Sequence, residues 1–176
     1  MSEVTLTQAN KGMKQTKPSQ LRSFAAPVFG GLEAEERVVA CYLRAWGAQF
    51  DVDAFVSASP LSCDPVWRRG DRRGAVRKGL PPLHDDSGLT TLVSAAEDLD
   101  AQVDDAVAFL RGNQAEVRRL VSIPEVERVI LDLGVAWHPD SVAQFTRLPP
   151  ELLGLAGNLN VWLEVSHYLR APDSEP

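Results

Sequence analysis

Five side chains in this sequence have the chemistry to ligate a metal or attack a substrate: Cys41, Cys63, His84, His138 and His167. Metal binding needs ligands that converge, and these five show no C-x-x-C, H-x-x-x-H or H-E-x-x-H spacing, so no metal site is expected. Cys63 lies beside Asp64 after a proline-bounded turn and would act as a nucleophile only with a distant histidine brought to it; a packed thiol is the simpler reading. The adjacent acids Asp85-Asp86 and Asp104-Asp105 suggest acid–base work at first sight. Neighbouring residues on a helix point in different directions, however, and solvated charge explains them better. There is no G-x-x-x-x-G-K-[ST] phosphate loop and no G-x-S-x-G, so no cofactor is implied. Arg69-Gly70-Asp71 has the sequence of an adhesion tripeptide, yet in a chain without an export signal it reads as a strand-ending turn. No constellation amounts to a reaction mechanism, and the chain reads as a non-enzyme.

At 176 residues, with 44% hydrophobic and 24% charged residues, the chain suits one folded domain whose core needs neither disulfides nor metal. No apolar run approaches the length of a membrane-spanning helix, and no apolar segment follows the N-terminal lysines, which points to a cytoplasmic protein with no membrane partner. Cys41 falls in the apolar phase of a strand, where a reduced core thiol is expected rather than a bridge to Cys63. The net charge of −6 is unevenly distributed: residues 1–80 carry 12 Lys or Arg against 8 Asp or Glu, and residues 81–176 carry 6 against 16. Such sorting marks either an interaction surface or a basic loop neutralised by an acidic helix within one fold, and the internal reading comes first.

Alternation organises the elements. The final stretch, Leu159 to Tyr168, places Leu159, Val161, Leu163 and Val165 on one face, with Asn160, Trp162, Glu164, Ser166 and Tyr168 on the other. A first strand, about Glu36 to Trp46, repeats the period, with Val39, Cys41, Leu43 and Ala45 opposed to Val38, Tyr42, Arg44 and Trp46. Between them the patterns predict a short helix from Asp51 to Ser57, a short strand from Cys63 to Arg69 and a third strand from Leu89 to Ser94. A long helix follows, with Ser94 and Glu97 as its capping box and Leu99, Val103, Ala106 and Leu110 as its apolar stripe. Helical residues continue through Val117, Leu120 and Val121, then come a fourth strand from Val126 to Val135 and a short helix from Pro149 to Ala156 with Gly157 just past its end.

That order implies an α+β fold of ferredoxin-like, split βαβ type. Its sheet would be mostly antiparallel, its helices would lie on one face, and a helix-strand unit would be added at the C-terminal end. Residues 1–32 read as a flexible tail, 33–170 as the domain and 171–176 as a disordered end. Arg68, Arg69, Arg72, Arg73, Arg77 and Lys78, broken by glycines and prolines, read as a long basic loop, either functional or disordered.

Phe50-Asp51-Val52-Asp53-Ala54-Phe55, WRRGD at Trp67 to Asp71, QVDDAVAFL at Gln102 to Leu110, LDLGV at Leu131 to Val135 and the LPPELLGLAG segment through to Tyr168 together carry a resemblance. Over roughly residues 36–170 the chain resembles a bacterial family of domains of unknown function, relatives of which are encoded near polymorphic toxins. The resemblance implies an immunity protein or accessory factor and supplies no catalytic residues. Its motifs read as fold markers: Gly70 for a turn, the helix stripe for packing, Gly157 for a cap.

Two surfaces are therefore the candidate binding sites. One is a sheet face carrying Tyr42, Arg44, Trp46, Trp162, Glu164 and Tyr168; the other is the basic loop. The expected function is binding another protein, a toxin being the partner that the resemblance implies. A second copy of the chain or the tail folded back through Phe24 and Phe29 would also cover the face. A nucleic-acid binder stacking bases on sheet aromatics is the alternative from another class, and the pI near 5.1 weighs against it. A small-molecule regulatory module on the same fold is the third.

Overall fold

In the computed structural model, residues 39–74, 82–137 and 142–169 are described. The expected tail at 1–32, the start of the first strand, Arg77, Lys78, His138 and the end at 171–176 lie outside the described residues. The chain runs β1 (Cys41–Gly47), α1 (Val52–Ser57), β2 (Val66–Trp67), β3 (Ser87–Ser94), α2 (Leu99–Gly112), α3 (Gln114–Val121), β4 (Arg128–Trp137), α4 (Pro150–Asn158) and β5 (Trp162–Leu169). The five strands form one sheet in the order β2-β3-β1-β4-β5, antiparallel throughout except for the parallel β4–β5 pair. The α+β class and the mostly antiparallel sheet agree with the sequence reading. None of the described helices is long and apolar enough to cross a membrane.

Period-two alternation explains why one side of this sheet is dry. Cys41, Leu43 and Ala45 of β1, Leu89 of β3 and Val129, Leu131 and Leu133 of β4 join one cluster with the buried faces of all four helices. Within it Val52 and Phe55 come from α1, Val103, Ala106 and Leu110 from α2, Val117 and Leu120 from α3, and Leu152 and Ala156 from α4. We call this the helix side of the sheet and the other the outer face.

Three local devices differ from the sequence reading. The long helix is not capped by a Ser94–Glu97 box: it starts at Leu99, and Asp98 caps it by accepting the Ala101 N–H at 2.9 Å. Ser94 is instead turned inward by a bulge. The β1–β3 register slips between Cys41 and Tyr42, so that Cys41 opposes Ser94 while Tyr42 opposes Leu92, and Val93 is the extra residue. The slip places the Ser94 hydroxyl on the helix side, where it donates to Asp105 at 2.6 Å.

Gly157, expected just past the last helix, lies inside it. The left-handed position is taken by Asn160, at φ 54°. Its N–H bonds to the Gly157 carbonyl at 3.1 Å and the Val161 N–H to the Ala156 carbonyl at 2.9 Å, which closes the helix in a Schellman motif. Leu159 and Val161 are buried as predicted, but in this cap; β5 begins only at Trp162.

Candidate interaction surface

Every even-numbered residue from Tyr42 to Trp46, from Arg128 to Gly134 and from Trp162 to Tyr168 points to the outer face, because each opposes another of that phase across the ladder. The six face residues expected from sequence thus lie on one side of the sheet, on β1 and β5 with β4 between them, but in unlike environments. Trp162 is 55% exposed, and the Arg128 guanidinium lies 4.7 Å from the centre of its ring. Tyr42, Trp46 and Tyr168 are half-buried. Leu92 of β3, opposite Tyr42, is 52% exposed and adds an apolar group that the sequence reading did not include.

Arg44 sits at the centre of the face and is nearly wholly buried. Its Nη2 lies 2.9 Å from Asp132 Oδ2 and 3.4 Å from Glu164 Oε2. Asp132 also accepts the Ser166 hydroxyl at 2.7 Å. Arg44 is therefore a core of fixed charge beneath the surface rather than a surface contact, and its Nε finds no hydrogen-bond partner. Asp132 and Ser166 complete the constellation and were not singled out from sequence. The signal for Asp132 was available: it is the one charged residue inside the apolar run Val129 to Val135.

The same charges reach both tyrosines. Burial, followed by Asp132, pushes the Tyr168 hydroxyl above the usual tyrosine range; burial, followed by Tyr168 and Asp132, does the same to Tyr42. Both stay protonated and able to donate at neutral pH. On the helix side, burial and then Asp132 and Asp105 push the Cys41 thiol up to about 12. Cys41 is a free, buried thiol, the reduced core cysteine expected from sequence. Cys63 is half-buried, with its thiol raised by burial and Sγ 3.6 Å from both the Thr91 hydroxyl and the Leu61 carbonyl.

The basic segment differs from an open loop where it is described. Gly70 N–H bonds to the His84 carbonyl, His84 N–H to the Asp71 carbonyl and Arg73 N–H to the Pro82 carbonyl, at 2.8–3.0 Å, with Arg72 bridged to Leu83. The two ends thus run together as a ribbon. Arg69-Gly70-Asp71 lies in the turn that leads from β2 into the ribbon: Asp71 N–H bonds to the Arg68 carbonyl at 2.9 Å, with Gly70 at φ 91°. Arg68 forms a two-point pair with Asp53, and Arg73 meets Asp85 at 3.1 Å, so two of the basic side chains are neutralised within the fold. Arg69 and Arg72 remain exposed, and the Arg69 N–H bonds to the Ser87 hydroxyl.

The ribbon is fastened to the outer face through Trp67. Its ring lies over Gly88, where a Cβ would come within 2.3 Å of it, while its indole N–H donates to Asp86 at 2.8 Å and His84 stacks on it at 5.5 Å. The adjacent acids noted in the sequence have separate roles: Asp85 holds Arg73, Asp86 holds Trp67 and Asp105 accepts from Ser94.

On the helix side an open cleft of about 440 Å³ lies between α1 and α3, lined by Asp51, Phe55, Arg119, Ile123 and Glu125 among others. Its one strongly placed cation, Arg119, lies 4.2 Å over the Phe55 ring and is held by Glu116. Among the described residues no group of three or more His, Cys, Asp or Glu is placed to hold a metal ion. What fold and surface define together is an α+β protein with a charge-centred sheet face rimmed by aromatic and aliphatic side chains. No protein-family model, curated protein or solved structure matches the chain.

Proposed function

We propose that this chain is a non-enzymatic binding protein that meets a protein partner on its outer sheet face, over Leu92, Tyr42 and Trp46. The observation that carries the reading is the pairing of an exposed apolar rim with a buried ionic centre. Leu92 and Trp162 stand about half exposed on either side of an Arg44–Asp132 pair with side chains only 4% and 5% exposed. Large aromatic side chains on a face held in one arrangement are the usual anchors of a protein interface; Tyr42 and Trp46 supply them here, and Leu92, opposite Tyr42, adds apolar area. Mostly satisfied charges beneath it fix the position of the strands that present it.

The strand order supports reading the architecture as ferredoxin-like, with β3 lying between β1 and β2, which run parallel to each other, and with α4 and β5 added beside β4. The resemblance noted above takes the function one step further, to a cytoplasmic immunity or accessory factor that blocks a toxin by occupying its surface.

Affinity capture on the purified chain from source-cell extract, followed by native mass spectrometry, tests the reading. A protein partner of fixed stoichiometry is expected, and Leu92→Lys should abolish its retention without changing the melting temperature. A nucleic acid or a small molecule in its place, or retention indifferent to Leu92→Lys, overturns the proposal. For the narrower reading, the captured protein expressed alone should arrest growth and co-expression of the chain should relieve it.

A further inference from the structure

The two edges of the sheet are built differently. β2 is two residues long and lies between Pro65 and Arg68, and a short strand with a flanking proline and charge is how an edge is ordinarily blunted. β5 is eight residues long, pairs with β4 in unbroken register and contains neither Pro nor Lys. Its one charged side chain, Glu164, is drawn toward Arg44 at 3.4 Å. Among the described residues nothing pairs with the far side of β5. Every second residue of a strand in a parallel pair turns its N–H and C=O away from that neighbour, so β5 presents a row of donors and acceptors.

We propose that this edge pairs antiparallel with β5 of a second copy of the chain, about a two-fold axis perpendicular to the sheet that passes between the two copies of Val165, giving one ten-stranded sheet. Such an axis keeps both outer faces on the same side, so opposed residues must share a phase. Centring on Val165 sets Trp162 opposite Tyr168 of the second copy, Glu164 opposite Ser166 and Leu163 opposite His167. The strand is then its own complement: two aromatic pairs form on the outer face and no like charges meet. The neighbouring registers lack this. Centring on Glu164 opposes two carboxylates, and centring on Ser166 leaves Trp162 beyond the end of the facing strand, which stops at Leu169.

Trp162, the most exposed aromatic side chain of the sheet face, gains a ring to pack against. The helix beside this edge is α4, which packs on both α2 and β5 and carries Leu153 half exposed, a second apolar group available to the seam.

Sedimentation velocity of the full chain over a concentration series tests the pairing. A species of twice the 19.2 kDa monomer mass is expected. Trp162→Ala should raise the dissociation constant about tenfold or more, since both aromatic pairs are lost, with an unchanged circular dichroism spectrum. In a Cys63→Ser background, Val165→Cys should be trapped as a covalent dimer by mild oxidation or a short crosslinker, whereas Val142→Cys, at a fully exposed position away from the seam, should not.

A chain that stays monomeric at roughly 100 µM, where a micromolar constant would already show, overturns the proposal. So does a dimer that ignores Trp162→Ala and is not trapped through position 165. Leu92 lies on β3, three strands from the seam, so Leu92→Lys should leave the dimer intact; the fate of the partner-binding reading is thereby read separately.

Discussion

Arg44 Nη2 meets Asp132 Oδ2 at 2.9 Å across the β1–β4 seam, with 4% and 5% of the two side chains exposed. An ion pair this deep gains little net stability over an apolar pair of the same shape, but a single survivor is a buried charge with nothing to balance it. Arg44→Met strands Asp132 with only the Ser166 hydroxyl as partner, so we expect a loss of about 3–5 kcal/mol. The double variant Arg44→Met with Asp132→Leu should recover most of it. Urea unfolding of the two single variants and the double one closes the cycle; a single-variant cost near zero would mean that the pair is not desolvated in solution.

Cys41 gives stability an alkaline limit. Its folded thiol is pushed up to about 12 from an ordinary 9.0, by burial first and then by Asp132 and Asp105. Above pH 9 the unfolded chain releases this proton and the folded chain does not, so unfolding is favoured as pH rises. The contribution is complete below pH 9 and is lost toward pH 12, by up to about 1.4 kcal/mol per pH unit. Urea midpoints at pH 8, 9.5 and 10.5 should fall more steeply for the wild type than for Cys41→Ala.

His84 sets the opposite slope in acid. Burial against Trp67, and then the Arg73 guanidinium, hold its pKa below the ordinary 6.5 and outweigh the nearby Asp86, Asp71 and Asp85. Below pH 6.5 the unfolded chain takes up a proton that the folded chain refuses. The contribution is therefore present above pH 6.5 and lost as the pH falls toward the folded value. His84→Phe keeps a ring on Trp67 and removes the titration, so its urea midpoint should drop less between pH 7.5 and 5.5 than that of the wild type.

Gly88 and Asn160 are two backbone positions that tolerate little change. A Cβ at Gly88 would lie 2.3 Å from the Trp67 ring and 2.6 Å from the Ala45 carbonyl oxygen, and the carbonyl cannot swing away. Gly88→Ala should cost roughly 1–3 kcal/mol by overpacking. Asn160→Ala places an ordinary side chain at φ 54° and should cost about 1–2 kcal/mol, while Asn160→Gly should lie close to the wild type. Chemical denaturation distinguishes these outcomes, and equal stability of the Asn160→Ala and Asn160→Gly variants would show that the cap relaxes.

Much of the architecture is a local property of the chain. A period of two assigned Leu43, Leu131 and Leu163 to the helix side and Arg44, Trp46 and Trp162 to the outer face, because successive strand side chains must point to opposite sides whatever the strand's neighbours are. The stripe of Val103, Ala106 and Leu110 fixed the buried face of α2 in the same way. Pairing is not local. That Asp132 rather than some other acid would neutralise Arg44, that Trp67 would lie over Gly88, and that Arg68 would reach Asp53 depended on which strands became neighbours and in what register. The bulge at Val93, which sends Ser94 to the helix side, and the parallel placement of β5 at an edge were likewise decided by long-range closure. Periodicity reports only which way a side chain points; what it meets there is set by packing between segments that the sequence holds far apart.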